Sequence, residues 1–199
     1  MTAPTTKRIL LLQGHPDVRT RHLCHALEDA YAAGAQAAGH TVRRLQVAKL
    51  EFPLLRSQAE WEHGALPPAL APAQADIVWA EHLVLFFPIW LGDMPAVLKG
   101  FLEQVARPGF AFKAGRENGF GHKGLSGRSA RVVVTMGMPA LVYRWYFRAH
   151  SVKSLERNVL GFVGFAPVKE TLIGMVDRLD DDGVADWKAR VDRLGAAAQ

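Results

Sequence analysis

A continuous apolar segment at residues 83–87 runs directly into a tryptophan-containing loop and then into an amphipathic helix. The segment lacks polar alternation and ends at Pro88, a pattern typical of a strand that is covered on both faces of a parallel sheet. Beyond the loop, apolar residues recur at helical spacing between Met94 and Val105, which predicts a helix over residues 95–106 with one buried stripe. The loop is therefore fixed at both ends, and it places Trp90 at one edge of a sheet.

The rest of the chain repeats this alternation of strand and helix. Strands are predicted at residues 9–13, 41–47, 83–87, 129–135 and 168–173, and helices at residues 21–38, 73–81, 95–106, 143–160 and 184–198. The segments 50–72 and 115–127 are predicted to be irregular, the second as a surface loop. Alternating strands and helices indicate an α/β sandwich with a parallel sheet, and 199 residues without a linker predict a single domain over residues 1–199.

Three loops are expected to meet at one edge of this sheet. If the strand order is 2-1-3-4-5, the carboxyl ends of strands 1, 3 and 4 lie side by side at a topological switch point, where open sheets bind ligands. The loops that follow these strands are residues 15–20, 88–93 and 135–139. His15 precedes the first helix, whose free N–H groups favour a phosphate group, and Gly137 permits close approach of the backbone. The three loops therefore predict one ligand site.

The motif in the loop and helix after the third strand carries a resemblance. Residues 88–101 read Pro-x-Trp-x-x-x-x-Pro-Ala-x-Leu-Lys-Gly-Phe, Gly-Phe-Ala-Phe follows at 109–112, and the combination resembles the flavin loop of the flavodoxin-like NAD(P)H:quinone oxidoreductases. The resemblance implies a flavodoxin-like three-layer sandwich with a five-stranded parallel sheet of order 2-1-3-4-5. It implies an enzyme that binds FMN or FAD and transfers two electrons from NAD(P)H to quinones or related electrophiles by a ping-pong hydride mechanism. It also implies a homodimer, for which residues 50–72 and 143–147 are the expected contact segments.

The same resemblance assigns flavin contacts to side chains and backbone groups in the three loops. These residues are His15, Pro88, Ile89, Trp90, Leu91, Thr135, Met136, Gly137 and Met138. Residues 89–91 are expected to act largely through their backbone groups. Where the family has Ser and Asn near the flavin phosphate, this chain has Arg21 and Cys24, and Arg21 is a candidate forked donor to that phosphate. The change leaves FMN and FAD as alternatives.

Two residues are candidates for proton transfer to the acceptor. Tyr143 lies at the family's spacing from Thr135, and His150 lies one residue from the position of the family's histidine. A neutral His can donate a proton near pH 7, and a Tyr hydroxyl can stabilise a developing oxyanion. Packing alone is the alternative interpretation of Tyr143, as it is of Trp90 and of the methionines at 136 and 138.

Composition and charge bear on location and partners. The chain has one cysteine and no apolar run of the roughly 18 residues that a membrane span requires, so we expect a cytoplasmic protein that does not insert into a membrane. The net charge is +5, but Lys and Arg are scattered, which argues against binding of nucleic acid.

No metal site is expected at His22, Cys24 and His25, because helical spacing should direct their side chains apart. The acidic run at 180–182 is expected to form a solvated turn.

Two other functions are compatible with a flavodoxin-like chain. A single-electron carrier is disfavoured, because such carriers are usually acidic and this chain is basic. A flavin-binding regulatory subunit of a membrane transport system stays open. Oxidation of NADPH by a quinone distinguishes an enzyme from both.

Overall fold

A computed structural model describes residues 6–113 and 122–199. The strands in this part of the chain are β1 (Arg8–Gln13), β2 (Thr41–Gln46), β3 (His82–Pro88), β4 (Phe112–Lys113), β5 (His122–Lys123), β6 (Ser129–Thr135) and β7 (Val168–Ile173). The five longer strands form one parallel sheet of order β2-β1-β3-β6-β7, and β4 pairs with β5 antiparallel. The predicted fold and strand order are therefore confirmed. Most of the predicted loop at 115–127 lies outside the described residues.

Helices surround the long sheet. They are α1 (Leu23–Ala37), α2 (Gln58–His63), α3 (Ala71–Trp79), α4 (Ala96–Val105), α5 (Ala140–Trp145), α6 (His150–Ser154), α7 (Gly161–Val163) and α8 (Asp181–Ala196). Short 3₁₀ turns lie at Val47–Lys49, Pro68–Leu70 and Val176–Arg178, and a π-helical segment lies at Leu155–Leu160. Within residues 6–113 and 122–199, none of the helices combines the length and apolar character needed to cross a membrane.

The side chains of β1 show how the three layers arise. Ile9 and Leu11 belong to a buried cluster with residues of α1 and α8, whereas Leu10 and Leu12 belong to the cluster that includes residues of α3 and α4. Successive side chains of a strand point to opposite faces, so an unbroken apolar strand needs a helical layer on each side. The apolar run that predicted a doubly covered β3 follows the same rule, and every residue of β3 is buried.

The structure corrects the predicted helix at residues 143–160. The chain turns at Arg148 and Ala149, which both have positive φ values, of 54° and 50°. This turn separates α5 from α6, and the π-helical segment follows. The aromatic residues that suggested one helix do not form a buried stripe, since Trp145 and Tyr146 are 78% and 79% exposed. Helical propensity alone therefore overestimated the continuity of this region.

Two other local predictions change in detail. The irregular segment 50–72 contains α2, whose first turn is capped by the Ser57 hydroxyl, which accepts from Glu60 N–H at 3.1 Å. The acidic run at 180–182 starts α8 instead of forming a free turn, because the Asp180 carboxylate accepts from Gly183 N–H at 2.9 Å. Acidic side chains at a helix N-terminus also interact favourably with the helix dipole.

The hydroxyl of Tyr143 joins the two helices on either side of the turn. Tyr143 is 2% exposed, and its Oη lies 2.7 Å from Ser151 Oγ and accepts from Val152 N–H at 3.2 Å. Ala149 N–H donates back to Tyr143 O at 3.0 Å. These bonds satisfy buried backbone groups at the start of α6, so the Tyr143 hydroxyl has a structural role here.

We predict that Tyr143→Phe lowers the free energy of unfolding by about 1–3 kcal/mol, because the buried Val152 N–H loses its acceptor. Chemical denaturation measures this change. Tyr146→Phe is the matched control, since Tyr146 is largely exposed, and it should leave the unfolding free energy unchanged. Equal stability of the two variants would contradict the assignment.

Candidate functional site

The carboxyl ends of β1, β3 and β6 border a cavity of about 430 Å³. Its lining comes from the loop after β1 and the start of α1, from the loop after β3, from the loop after β6, and from the 3₁₀ turn after β7. The lining residues are His15, His22, Leu23, Cys24, Pro88, Ile89, Trp90, Thr135, Met136, Gly137, Val176 and Asp177. The volume is within the range of small-molecule sites, and the position is the switch point of the sheet. The structure thus brings together the three loops that the sequence singled out.

Three histidines cluster at one side of this cavity, and two of them, His15 and His22, line it. The rings of His15 and His22 stack with centroids 4.1 Å apart, and the His25 ring lies 5.0 Å from that of His15. Trp90 meets His15 edge to face at 5.9 Å, so the aromatic wall and the histidine cluster are in contact. The expectation that the side chains of residues 22, 24 and 25 diverge holds only for Cys24, which is buried against the sheet. No group of His, Cys, Asp or Glu side chains suited to a metal ion occurs among the described residues.

Asp17 bonds to two members of this cluster and fixes the tautomer of His15. Its N–H donates to His15 Nδ1 at 3.1 Å, which places the proton of the neutral ring on Nε2. Its carboxylate accepts from His22 Nε2 at 2.8 Å, and this bond holds the pKa of Asp17 well below its usual range. Burial, assisted by His22 and His25, lowers the pKa of His15 to about 4. His15 is therefore neutral at pH 7, with Nε2–H as the free donor of its ring.

The start of α1 supplies further donors to the cavity. The N–H groups of Leu23 and Cys24 have no acceptor among the residues that the structure describes. Unpaired N–H groups at a helix N-terminus, together with the helix dipole, favour a negatively charged group. Across the cavity, the N–H groups of Gly137 and Met138 likewise have no acceptor in the described part of the chain. The two donor pairs lie on separate loops that border one cavity.

The loop after β3 contributes mainly surface, because two of its N–H groups are already paired within the protein. Ile89 N–H donates to Thr135 O at 2.8 Å, and Trp90 N–H donates to Asp93 O at 2.9 Å. The expected action of residues 89–91 through backbone groups is therefore restricted to carbonyl oxygens at Ile89 and to the N–H of Leu91. The Trp90 side chain is 52% exposed, which is unusual for a tryptophan that only fills a core. Its indole ring borders the cavity and is accessible to a ligand.

The Gln13 side chain holds the loop after β1 against the start of α1. Sequence reasoning missed this residue. Its Oε1 accepts from His15 N–H at 3.0 Å and from Cys24 Sγ at 3.4 Å. Its Nε2 donates to Cys24 O at 3.3 Å and to Glu28 Oε2 at 3.0 Å. Burial raises the pKa of the Cys24 thiol, which fits a packed position and not a reactive one. The available signal was a lone amide at the end of an apolar strand, directly before Gly14 and His15.

Five residues that the sequence singled out do not line the cavity: Arg21, Leu91, Met138, Tyr143 and His150. The Arg21 guanidinium pairs with Asp29 on α1, and Leu91 is fully exposed. Met138 packs against the core, and Tyr143 is engaged in the α5–α6 contact. His150 borders a separate surface pocket with Arg148 and Lys153. The two candidate proton donors are therefore not among the residues that line this cavity.

Comparison with known proteins identifies the family. The model of the family Flavodoxin_2, described as having a flavodoxin-like fold, matches residues 7–194. An uncharacterized NAD(P)H oxidoreductase of Haemophilus influenzae is 26% identical over 194 residues, which cover 96% of this chain and 92% of that protein. An FMN-dependent NADH:quinone oxidoreductase of Bordetella avium is 31% identical over 142 residues, which cover 70% of this chain and 66% of that protein.

A solved structure shows the same fold. The NAD(P)H:quinone oxidoreductase from Methanothermobacter marburgensis superposes with a TM-score of 0.79 at 24% identity, covering 96% of each chain. The family match spans nearly all of the described residues, and the strand order agrees with it. The chain belongs to the Flavodoxin_2 family of proteins with a flavodoxin-like fold.

Proposed function

We propose that this protein is a flavin-dependent oxidoreductase that transfers two electrons from NAD(P)H to quinones or related electrophiles, with FMN held in the cavity. The observation that supports this most directly is the cavity itself, which combines an accessible indole ring with an anion-favouring helix start. The relatives named NAD(P)H oxidoreductase and FMN-dependent NADH:quinone oxidoreductase support the same activity.

The donors around the cavity match the three parts of FMN. The phosphate fits the N–H groups of Leu23 and Cys24, next to the neutral Nε2–H of His15. The flat ring system fits the apolar surface of Trp90. The pyrimidine edge of the ring needs hydrogen-bond donors, which the loop after β6 offers at Gly137. A Cβ at Gly137 would lie 3.1 Å from Asp177 Oδ2, so a larger residue would narrow the cavity here.

A bound flavin would supply the two-electron chemistry between the nicotinamide and the acceptor. The chain would position the reactants. In the proposed ping-pong order, NAD(P)H and the quinone bind in turn at the mouth of the cavity. His15, being neutral, orients the cofactor without adding positive charge beside it.

A homodimer is part of this proposal. Residues of α5 and the turn after it expose large apolar side chains: Leu141 at 70%, Trp145 at 78%, Tyr146 at 79% and Phe147 at 45%. Contiguous exposed aromatic surface is typical of interfaces, and a two-fold axis would bury the same patch on both subunits. Sedimentation equilibrium at micromolar concentration should give twice the chain mass, and a monomer mass would exclude the dimer.

We place the enzyme in the cytoplasm, where NAD(P)H is generated, and cell fractionation tests this.

Steady-state kinetics test the proposed activity. Under anaerobic conditions, FMN-loaded protein should turn over NADH or NADPH continuously only when a benzoquinone or naphthoquinone is present. Varying both substrates should give parallel double-reciprocal lines, because the two reactants share one site in turn. Protein that retains FMN but shows no quinone-dependent oxidation of either nucleotide would contradict the enzymatic role and favour a regulatory flavoprotein. Intersecting lines would contradict the ping-pong order alone.

Replacing the indole ring tests where the flavin binds. Trp90→Ala should weaken FMN binding by about 10- to 100-fold, which corresponds to about 1.5–3 kcal/mol of lost apolar contact. The melting temperature of the flavin-free protein should change little, since half of this side chain is exposed already. Trp145→Ala is the matched control, because Trp145 is exposed and does not border the cavity. Full FMN retention in Trp90→Ala, combined with a large drop in melting temperature, would assign Trp90 to packing.

A further inference from the structure

A second recess, of about 270 Å³, lies beside the histidine cluster. We call it the cationic recess, and the residues that define it are Arg19, Arg21, His25, Glu28, Arg44 and Lys49. It is formed by the loop after β1, one side of α1, the end of β2 and the turn that follows β2. The ring centroid of His25 lies 5.0 Å from that of His15 and 5.9 Å from that of His22. Both His15 and His22 border the cavity at the ends of β1, β3 and β6. The histidine cluster therefore adjoins both the cavity and the recess.

Ion pairs hold two of the arginines in place at the recess. Asp29 accepts from the Arg21 guanidinium through one carboxylate oxygen and from Arg44 Nη1, at 2.6 Å, through the other. Arg44 Nε also lies 3.8 Å from Glu28 Oε1, so these two guanidinium groups face two carboxyl groups. The side chains of Arg19 and Lys49 have no carboxylate partner in the described part of the chain. The recess is thus lined by four cationic side chains and two carboxyl groups, which favours an anion.

Glu28 indicates that the ligand is more than a simple anion. Glu28 is 2% exposed, and its Oε2 accepts from Gln13 Nε2. Its Oε1 has no hydrogen-bond partner among the described residues, and the nearest cationic atom, Arg44 Nε, is 3.8 Å away. Burial raises the pKa of Glu28. A buried polar atom without a partner is unfavourable, and a ligand hydroxyl can satisfy it in either protonation state, because a hydroxyl both donates and accepts.

We propose that the cationic recess binds a phosphorylated ribose, with the phosphate held by Arg19, Arg44 and Lys49 and a ribose hydroxyl bonded to Glu28 Oε1. Two molecules could carry this group to the recess. One is NADPH, through the phosphate on its adenosine ribose, and the other is a flavin with an attached adenylate, as in FAD. Only the identity of the carrier rests on the proposed function; binding of the group itself does not.

Titration calorimetry of the FMN-loaded protein with adenosine 2′,5′-bisphosphate tests the recess directly. The wild type should bind this probe at least 10-fold more tightly than inorganic phosphate. The double variant Arg19→Ala/Lys49→Ala should bind it at least 10-fold more weakly than the wild type. The control Lys188→Ala/Arg193→Ala removes the same charge from the exposed surface of α8 and should bind like the wild type. Equal affinity for the probe and for phosphate, or equal affinity in the two double variants, would mean an adventitious anion only and would overturn the proposal.

The same variants identify the carrier. If the group belongs to NADPH, Arg19→Ala/Lys49→Ala should raise KM for NADPH about 10-fold and leave KM for NADH unchanged. If it belongs to a flavin adenylate, the affinity for FAD should fall about 10-fold and the affinity for FMN should not change. If the double variant changes neither the KM for NADPH nor the affinity for FAD, the proposal is overturned. FMN retention and NADH-dependent quinone reduction are measured separately. If the recess proposal fails but the double variant keeps both of these properties, the proposed function stands.

Discussion

The buried amide of Gln13 is the interaction on which the site depends. A single side chain fixes His15 N–H, the Cys24 carbonyl oxygen and the Glu28 carboxyl group. Without it, the polar backbone of the loop after β1 and the first turn of α1 would be buried against the sheet without a partner, which is unfavourable. The amide therefore sets the position of α1 relative to β1. That position determines where the free N–H groups at the start of α1 point, and also where Glu28 meets the cationic recess.

The start of α1 separates two environments of different charge, the cavity on one side and the cationic recess on the other. On the cavity side, the ionised Asp17 holds His22, and His15 is neutral, so the groups that face the cavity are hydrogen-bond donors without a large net charge. On the other side, Arg19 and Lys49 add positive charge that Asp29 does not compensate. In the proposed arrangement, a cofactor phosphate at the N-terminus of α1 would be bound mainly by neutral donors, whereas the recess would attract an anion through long-range charge.

The five strands and the loops between them followed from the sequence because hydrophobic periodicity determines them, whereas the strand order was implied by the family resemblance. An unbroken apolar run at residues 83–87 requires cover on both faces, and the alternation in residues 41–47 is typical of an edge strand, which β2 is. Once the order is 2-1-3-4-5, the meeting of the loops after β1, β3 and β6 is a consequence of topology. His15, Trp90, Thr135 and Gly137 all border the cavity for that reason.

The remaining placements depend on contacts that no local pattern records. The turn at Arg148 and Ala149 separates α5 from α6, and the Tyr143 hydroxyl bonds to Val152 N–H, a contact that the spacing from Thr135 does not record. Likewise, the pairing of the Arg21 guanidinium with Asp29, eight residues later in the chain, has no signal in the local sequence pattern.

The central claim is that the cavity at the ends of β1, β3 and β6 holds a flavin. The most direct measurement is to purify the protein, denature it, and identify and quantify the released chromophore by mass and absorbance. The account predicts a yellow protein that releases FMN at one molecule per chain. A colourless protein that also fails to bind added FMN and FAD would contradict it.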